Sequence, residues 1–188
     1  IKADGIIAIN IKDDDELVAV RLTDGNEDII MISRSGHAVR FKESQARPMG
    51  RSTGGVRGMN VAKKGNEVIA MAVAKDDADL LVVTQGGYGK RTPMSEYPVK
   101  GRGTMGVLTI KLTDKKGELA GALMVHPGEE LLFMSQNGMV QRTRVDEISQ
   151  YKRAAQGVRL MNIKDDDCVS AVARVMESSD EDVEGVDG

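Results

Sequence analysis

The sequence of 188 residues contains no tryptophan, two phenylalanines and three tyrosines. A surface that stacks successive unpaired bases needs aromatic rings along its length, and Phe41, Phe133, Tyr88, Tyr97 and Tyr151 are too few to build one. Blades of the tryptophan–aspartate and kelch types are disfavoured for the same reason. The single cysteine, Cys168, can neither close an internal disulfide nor share a metal with a second thiol, which fits a reducing compartment. It is expected to be a small buried apolar side chain. No apolar run approaches the ~18 residues needed to cross a bilayer, and the opening string "IKADGIIAIN" lacks the basic-then-apolar layout of a secretory signal. These absences point to a cytoplasmic protein with no membrane partner. Eleven methionines are present, and such adaptable side chains fill core space that rings would otherwise occupy.

Catalytic and metal-binding constellations are also missing. His37 opens a strand-like run and His126 precedes Pro127, each without a second ligand at metal spacing; both are expected at the surface. Asp13, Asp14 and Asp15 are not followed by the glycine and distal glutamate of a calcium loop. Tyr88, Tyr97 and Tyr151 have no acid, base or metal grouping beside them and are expected to be structural. The glycine-rich "GRSTGG" at 50–55 lacks the lysine followed by serine or threonine of a phosphate loop. No catalytic residue, metal or cofactor is expected in this chain.

What is present is a period. "DIIMISRSGHAVRF" from Asp28, "DLLVVTQGGYGKRT" from Asp79 and "ELLFMSQNGMVQRT" from Glu130 recur at a spacing of 51 residues. Gly36, Gly87 and Gly138 keep that spacing, as do Arg40, Arg91 and Arg142, Arg51, Arg102 and Arg153, and the pairs Gly55–Val56, Gly106–Val107 and Gly157–Val158. The first 27 residues match the second half of a unit, since "NIKDDD" at 10–15 returns at 162–167. The expected layout is a half repeat at 1–27 and repeats at 28–78, 79–129 and 130–176, the chain being a piece of a longer protein. The remaining stretch 177–188, "ESSDEDVEGVDG", has six acidic residues and no basic one and is expected to be disordered.

Each unit reads as four short strands. Two β-rich runs flank a glycine-containing hairpin turn, as in "DIIMIS" and "HAVRFK" around Arg34 to Gly36. "VRGMNV" and "VIAMAV" supply two more across "AKKGNE", after a connector of about a dozen residues broken by Pro48, or by Pro93 and Pro98. The third connector, "RVDEISQYKRAAQ", lacks proline and is open to partial helix. Four-stranded units of this length, repeated, predict an all-β, propeller-like ring in which blades bury their faces on one another.

The net charge of −3 hides a segregation. Residues 28–61 carry six basic against two acidic side chains, 79–111 five against two, and 130–164 six against three. Acids gather instead in turns such as "KDDAD" at 75–79 and in the terminal stretch. If units repeat around a ring, the basic second strand and connector give a positive band along one curved edge. Duplex DNA, with one negative charge per about 1.7 Å of axis, is the ligand such a band suits. The candidate contacts are Arg40, Lys42, Arg47, Arg51 and Arg57 in the first repeat, and Lys90, Arg91, Lys100 and Arg102 in the second. The third repeat adds Arg142, Arg144, Lys152, Arg153 and Arg159. The acidic terminal stretch is a candidate internal competitor for this band.

The strings "VRFKESQARPMGRSTGGVRGMNV", "TQGGYGKRTPMSEYPVKGRGTMGVLTIKL" and "VQRTRVDEISQYKRAAQGVRLMNI" resemble the C-terminal DNA-wrapping domain of the A polypeptide of bacterial DNA gyrase, a type IIA topoisomerase, over about residues 1 to 176. That resemblance implies a six-bladed β-pinwheel whose neighbouring blades exchange strands, with duplex DNA wrapped on its basic rim in support of negative supercoiling. It implies that ATP and Mg²⁺ and the nucleophilic tyrosine belong to other parts of the enzyme. The partners implied are the remainder of the gyrase A polypeptide and the gyrase B polypeptide, in an A2B2 assembly. The basic glycine heptapeptide of the family's first blade is absent, which places the start of this chain near the fourth. The related domain of topoisomerase IV, and a protein-binding propeller scaffold, are the alternatives.

Overall fold

Four apolar residues in a row cannot all face one side of a strand, because successive side chains point to opposite faces. Ile29 to Ile32, Leu80 to Val83 and Leu131 to Met134 therefore call for strands covered on both faces. In a computed structural model of the chain, which describes residues 5–12, 14–62 and 65–176, these runs are the central strands of three antiparallel sheets.

The first repeat supplies β1 (Asp28–Ser33), β2 (His37–Lys42) and β3 (Val68–Ala74), and the second β4 (Asp79–Thr84), β5 (Tyr88–Pro93), β6 (Val107–Leu108) and β7 (Leu119–Val125). The third supplies β8 (Glu130–Ser135), β9 (Val140–Arg144), β10 (Val158–Arg159) and β11 (Val169–Arg174). The sheets run β3-β1-β2-β6, β10-β5-β4-β7 and β11-β8-β9. Each of the first two thus takes its outermost strand from the next repeat. This exchange makes the fold an all-β pinwheel rather than a row of independent blades.

Alternation along the central strands sends neighbouring residues into different cores. Leu80 and Val82 join Ile30, Ile32, Met94, Tyr97 and Ile110 between the first two sheets. Leu81 and Val83 join Leu131, Phe133, Val145, Ile148 and Met161 between the second and third. Each fully buried side chain of this size contributes about 1.5–3 kcal/mol. The blades are therefore stable mainly through one another. On the far face of the first sheet Ile29, Val39, Phe41 and Met59 form a smaller cluster. The last strands of the units, β3, β7 and β11, lie against one another and form the inner side.

The hairpins are as read from sequence. Gly36, Gly87 and Gly138 have φ of 81°, 79° and 85°, the left-handed conformation of a three-residue hairpin loop. Their N–H groups donate to the carbonyls of Ser33, Thr84 and Ser135. All three connectors begin with a single 3₁₀ turn, Glu43–Gln45, Met94–Glu96 and Val145–Glu147, so the proline-free third connector has no more helix than the others.

The third strand of each unit departs from expectation. It is two residues long in β6 and β10, and the corresponding Val56–Arg57 joins no ladder. β6 pairs with β2 and β10 with β5, whereas no described strand precedes the first repeat to receive Val56. The Gly–Val landmark belongs to this exchange. Gly157 has φ +74°, and a Cβ there would lie 2.6 Å from the Gly89 carbonyl oxygen; one at Gly106 would collide with the Ala38 carbonyl. Only glycine lets the incoming strand press this closely on its host. Asp13 and residues 177–188 lie outside the described residues.

Candidate nucleic-acid interface

Each hairpin opens on an acid, and the register sets an arginine diagonal to it. Asp28 stands opposite Lys42, Asp79 opposite Pro93 and Glu130 opposite Arg144, so Arg40, Arg91 and Arg142 lie two residues off, within diagonal reach. Arg40 Nε donates to Asp28 Oδ2 at 2.8 Å, Nη2 to Asp76 Oδ1 at 2.7 Å and Nη1 to the Met94 carbonyl at 3.3 Å. Its side chain is only 10% exposed. Arg91 donates to Asp79 Oδ2 and to the Ile148 carbonyl, each at 2.7 Å. Burial alone would raise the Asp28 pKa, yet hydrogen bonds from Lys42 and Arg40 outweigh it and hold the carboxyl below its ordinary value. Burial likewise opposes the charge on Arg40, and its bonds to Asp76 and Asp28 override that and raise its pKa.

Arg40 and Arg91 are therefore corrected from candidate DNA contacts to internal braces. Each ties the two strands of its hairpin and reaches into the connector of the next repeat. Arg142 makes the same pair, Nε to Glu130 Oε2 at 2.6 Å, but no described strand covers it and it stays 62% exposed.

The second periodic set consists of bolts. Arg51 Nη1 donates to the Ile7 carbonyl at 3.3 Å, and Arg153 Nη1 to that of Leu108 at 3.3 Å. Arg102 donates from Nε to the Gln45 carbonyl at 2.8 Å and from Nη1 to that of Arg57 at 3.1 Å. Every one reaches the preceding repeat. Around them the connector runs parallel to the host strand, with bridges between Arg40 and Val99 and between Arg91 and Gln150. Each of these guanidinium groups thus holds at least one backbone carbonyl of the preceding repeat, Arg51 remaining exposed and Arg153 Nε buried without a partner among the described residues.

Lys90 is the clearest correction. It is fully buried, and its Nζ donates to Thr92 Oγ1 at 3.0 Å and to the carbonyls of Lys152 and Arg153 at 2.7 and 2.8 Å. Three acceptors match the three donors of an ammonium group. Burial, with the Arg153 charge adding to it, pushes its pKa down to about 8. Its equivalents are the buried Val39 and the half-buried Gln141, so nothing in the period signals a buried lysine here.

The remaining candidates face solvent. Arg47, Arg57, Lys100 and Lys152 are exposed, and their side chains make no hydrogen bond or ion pair with another described residue. All four lie in or just after connectors, which run along the outer side of the sheets, away from β3, β7 and β11. Lys42 is 57% exposed while touching Asp28 Oδ1 at 2.7 Å, and Arg144 is exposed beside Asp146 at 3.3 Å. Arg159, on β10, is exposed and donates from Nη2 to the Tyr88 hydroxyl at 2.7 Å. The strictly periodic arginines are thus the engaged ones. The free cations share a segment rather than a register.

Acidic side chains gather in the turns that follow β3 and β7. Asp76 and Asp77, in the turn after β3, are about four-fifths exposed; Asp77 and Glu129 lie beside the half-exposed His126, and Arg174 contacts Glu129. Lys115 and Lys116, in the turn before β7, lie beyond the basic stretch 79–111, and the doubled lysine ahead of Gly117 is their signal in the sequence. Tyr97 is structural, buried in the first core with its hydroxyl on Thr109. Cys168 is half-buried rather than buried, its Sγ directed at Gln136 Oε1 at 3.3 Å. No group of three or more potential metal ligands is assembled among the described residues, and no helix among them is long and apolar enough to cross a membrane.

A family model described as "DNA gyrase C-terminal domain, beta-propeller" matches residues 1–24, 27–75, 78–126 and 129–176. The DNA gyrase A protein of Staphylococcus epidermidis is 45% identical over 182 residues, and that of Escherichia coli 42% identical over 185. These alignments take in 96% and 98% of this chain and 20% and 21% of the relatives, so the chain spans about a fifth of their length. A solved DNA gyrase A C-terminal domain superposes with a TM-score of 0.83 at 28% identity, covering 92% of this chain and 59% of that one. The C-terminal domain of a DNA topoisomerase IV gives 0.83 at 25% identity, covering 89% and 52%.

Proposed function

Because the chain belongs to the DNA gyrase C-terminal domain family of β-propellers, we propose that it binds duplex DNA along its outer, connector-bearing edge and helps to wrap it. The observation that carries this reading is the set of connector cations, Arg47, Arg57, Lys100 and Lys152, exposed and without an acidic partner among the described residues. A cation already paired to a carboxylate gives up that pair to hold a phosphate. An unpaired one releases only counterions. Bending a short duplex costs about 1–6 kcal/mol, and contacts spread over successive repeats offset that cost gradually.

In the whole enzyme such a wrap would present a crossover to the strand-passage core and so support negative supercoiling. ATP, Mg²⁺ and the cleavage tyrosine would lie in other parts of the enzyme, with the rest of the gyrase A polypeptide and the gyrase B polypeptide as protein partners, in the cytoplasm. Duplex affinity measured by fluorescence anisotropy across a salt series tests the reading. The expected log–log slope is about −0.9 for every phosphate neutralised, several units in all, and an affinity indifferent to salt would overturn it.

The equal superposition on a topoisomerase IV domain favours that enzyme as the second reading. Relaxed plasmid incubated with the intact parent enzyme and ATP separates the two. Negative supercoils are the gyrase outcome, and relaxation without them is the other.

A further inference from the structure

Arginines of the hairpins stand beside carboxylates: Arg34, in the first turn, with Glu67, and on the strands Arg40 with Asp28, Arg91 with Asp79 and Arg142 with Glu130. One cluster breaks the pattern. Tyr88 opens β5 and is paired across the exchanged strand with Arg159. The Arg159 guanidinium carbon lies 5.1 Å from the centre of the Tyr88 ring, and the Lys116 Nζ 4.9 Å from it.

The other partners of these cations are neutral. Lys116 Nζ donates to the Gln156 carbonyl at 3.1 Å and its Oε1 at 2.9 Å, and Arg159 Nη1 to Asn162 Oδ1 at 3.4 Å. Lys115 adds a third charge nearby. Among the described residues no carboxylate pairs with any of them.

Two like charges gathered on one ring repel, and a ring's quadrupole compensates only weakly at an exposed site. The cluster therefore carries a local excess of positive charge among the described residues. Arg159 stands on the outer edge, because β10 is the outermost strand of its sheet, and Lys116 reaches the same ring from the turn before β7. The hydrogen bond from Arg159 lowers the Tyr88 pKa, as expected of a guanidinium held close to the phenol oxygen.

We infer that Tyr88 is a positioning residue that holds Lys116 and Arg159 as a preset pair of phosphate contacts where the second and third repeats join. This rests on the duplex-DNA reading above. The tyrosine contributes no charge. It reduces the side-chain freedom that two long cations would otherwise lose on binding.

Y88L keeps apolar bulk and net charge but removes ring and hydroxyl, whereas Y88F keeps the ring. The expected result is duplex binding weakened about fivefold in Y88L, with most of the loss restored in Y88F. R159A and K116A each flatten the salt slope by about 0.9, and adding Y88L to the R159A/K116A pair causes no further loss. Wild-type affinity in Y88L, or a Y88L penalty that persists in the double-variant background, overturns the inference while leaving the wider reading intact. That reading fails separately if the wild-type protein shows no salt-dependent duplex binding. A readout that requires no variant to fold is the tyrosine spectrum of the labelled wild-type protein. Added duplex should shift the Tyr88 resonance and leave buried Tyr97 unmoved, and an unmoved Tyr88 contradicts the inference.

Discussion

Arg57 and Arg102 both stand beside glycine-rich connector sequence, and composition treats them alike, yet the structure gives them opposite work. Arg102 donates two side-chain hydrogen bonds to the carbonyls of Gln45 and Arg57, and Arg57 donates none to a described residue. Each bond is worth about 1 kcal/mol net, so R102A should cost about 2 kcal/mol. For a chain of this length that corresponds to a fall in melting temperature of roughly 4–8 °C. R57A removes no side-chain hydrogen bond or ion pair to a described residue and should stay within about 0.5 kcal/mol of wild type. DNA binding should invert the ranking. R57A is expected to flatten the log–log salt slope by about 0.9, and R102A to leave the slope unchanged at a temperature where both are folded. Thermal unfolding followed by circular dichroism and anisotropy titrations between about 50 and 200 mM salt supply the two axes. If R102A flattens the slope as much as R57A while melting like wild type, the division into bolts and phosphate contacts is wrong.

Lys90 makes the stability depend on pH with a definite sign. Its folded pKa of about 8 lies below the ordinary 10.5, so across that window the unfolded chain holds a proton that the folded chain has lost. Stability should therefore rise with pH there, by up to about 3 kcal/mol. Urea midpoints of wild type and K90M at the two ends of the window measure it, and parallel pH profiles would refute it. The exchanged strand gives a further contrast. G157A sets a Cβ 2.6 Å from the Gly89 carbonyl at φ +74°, whereas Gly138, at φ +85°, has open space around it. G138A should cost the left-handed penalty of about 1–2 kcal/mol and G157A clearly more, and equal losses in denaturant melts would contradict the close docking.

The repeat was legible because each unit reuses the same hairpin acid, the same turn glycine and a continuous apolar run, and these fix a strand buried on both faces. The exchange of strands was legible only through family resemblance. β6 and β10 are two residues long, and "VL" or "VR" carries no periodicity from which pairing with the previous sheet could be read. The ion pairs were within reach: the arginine follows the acid by 12 residues in each of the three hairpins, which in an antiparallel hairpin is a diagonal contact. Counting charge by repeat concealed it, because strict periodicity marks what every blade needs in order to fold. A ligand-facing cation needs only to lie on the outer edge, and Arg47, Lys100 and Lys152 accordingly share no register. Lys90 was beyond sequence reasoning, since the carbonyls that receive it come from residues 152 and 153, over 60 positions away.

Lysine-selective acetylation of the protein with and without duplex DNA, read by mass spectrometry, tests the division of cations most directly. Lys100 and Lys152 should react in the free protein and be shielded by DNA. Lys75, in the acidic turn with Glu27 as its partner, should react equally in both, and buried Lys90 in neither. Continued reactivity of Lys100 and Lys152 in the DNA complex, with shielding of Lys75 in their place, would contradict the account.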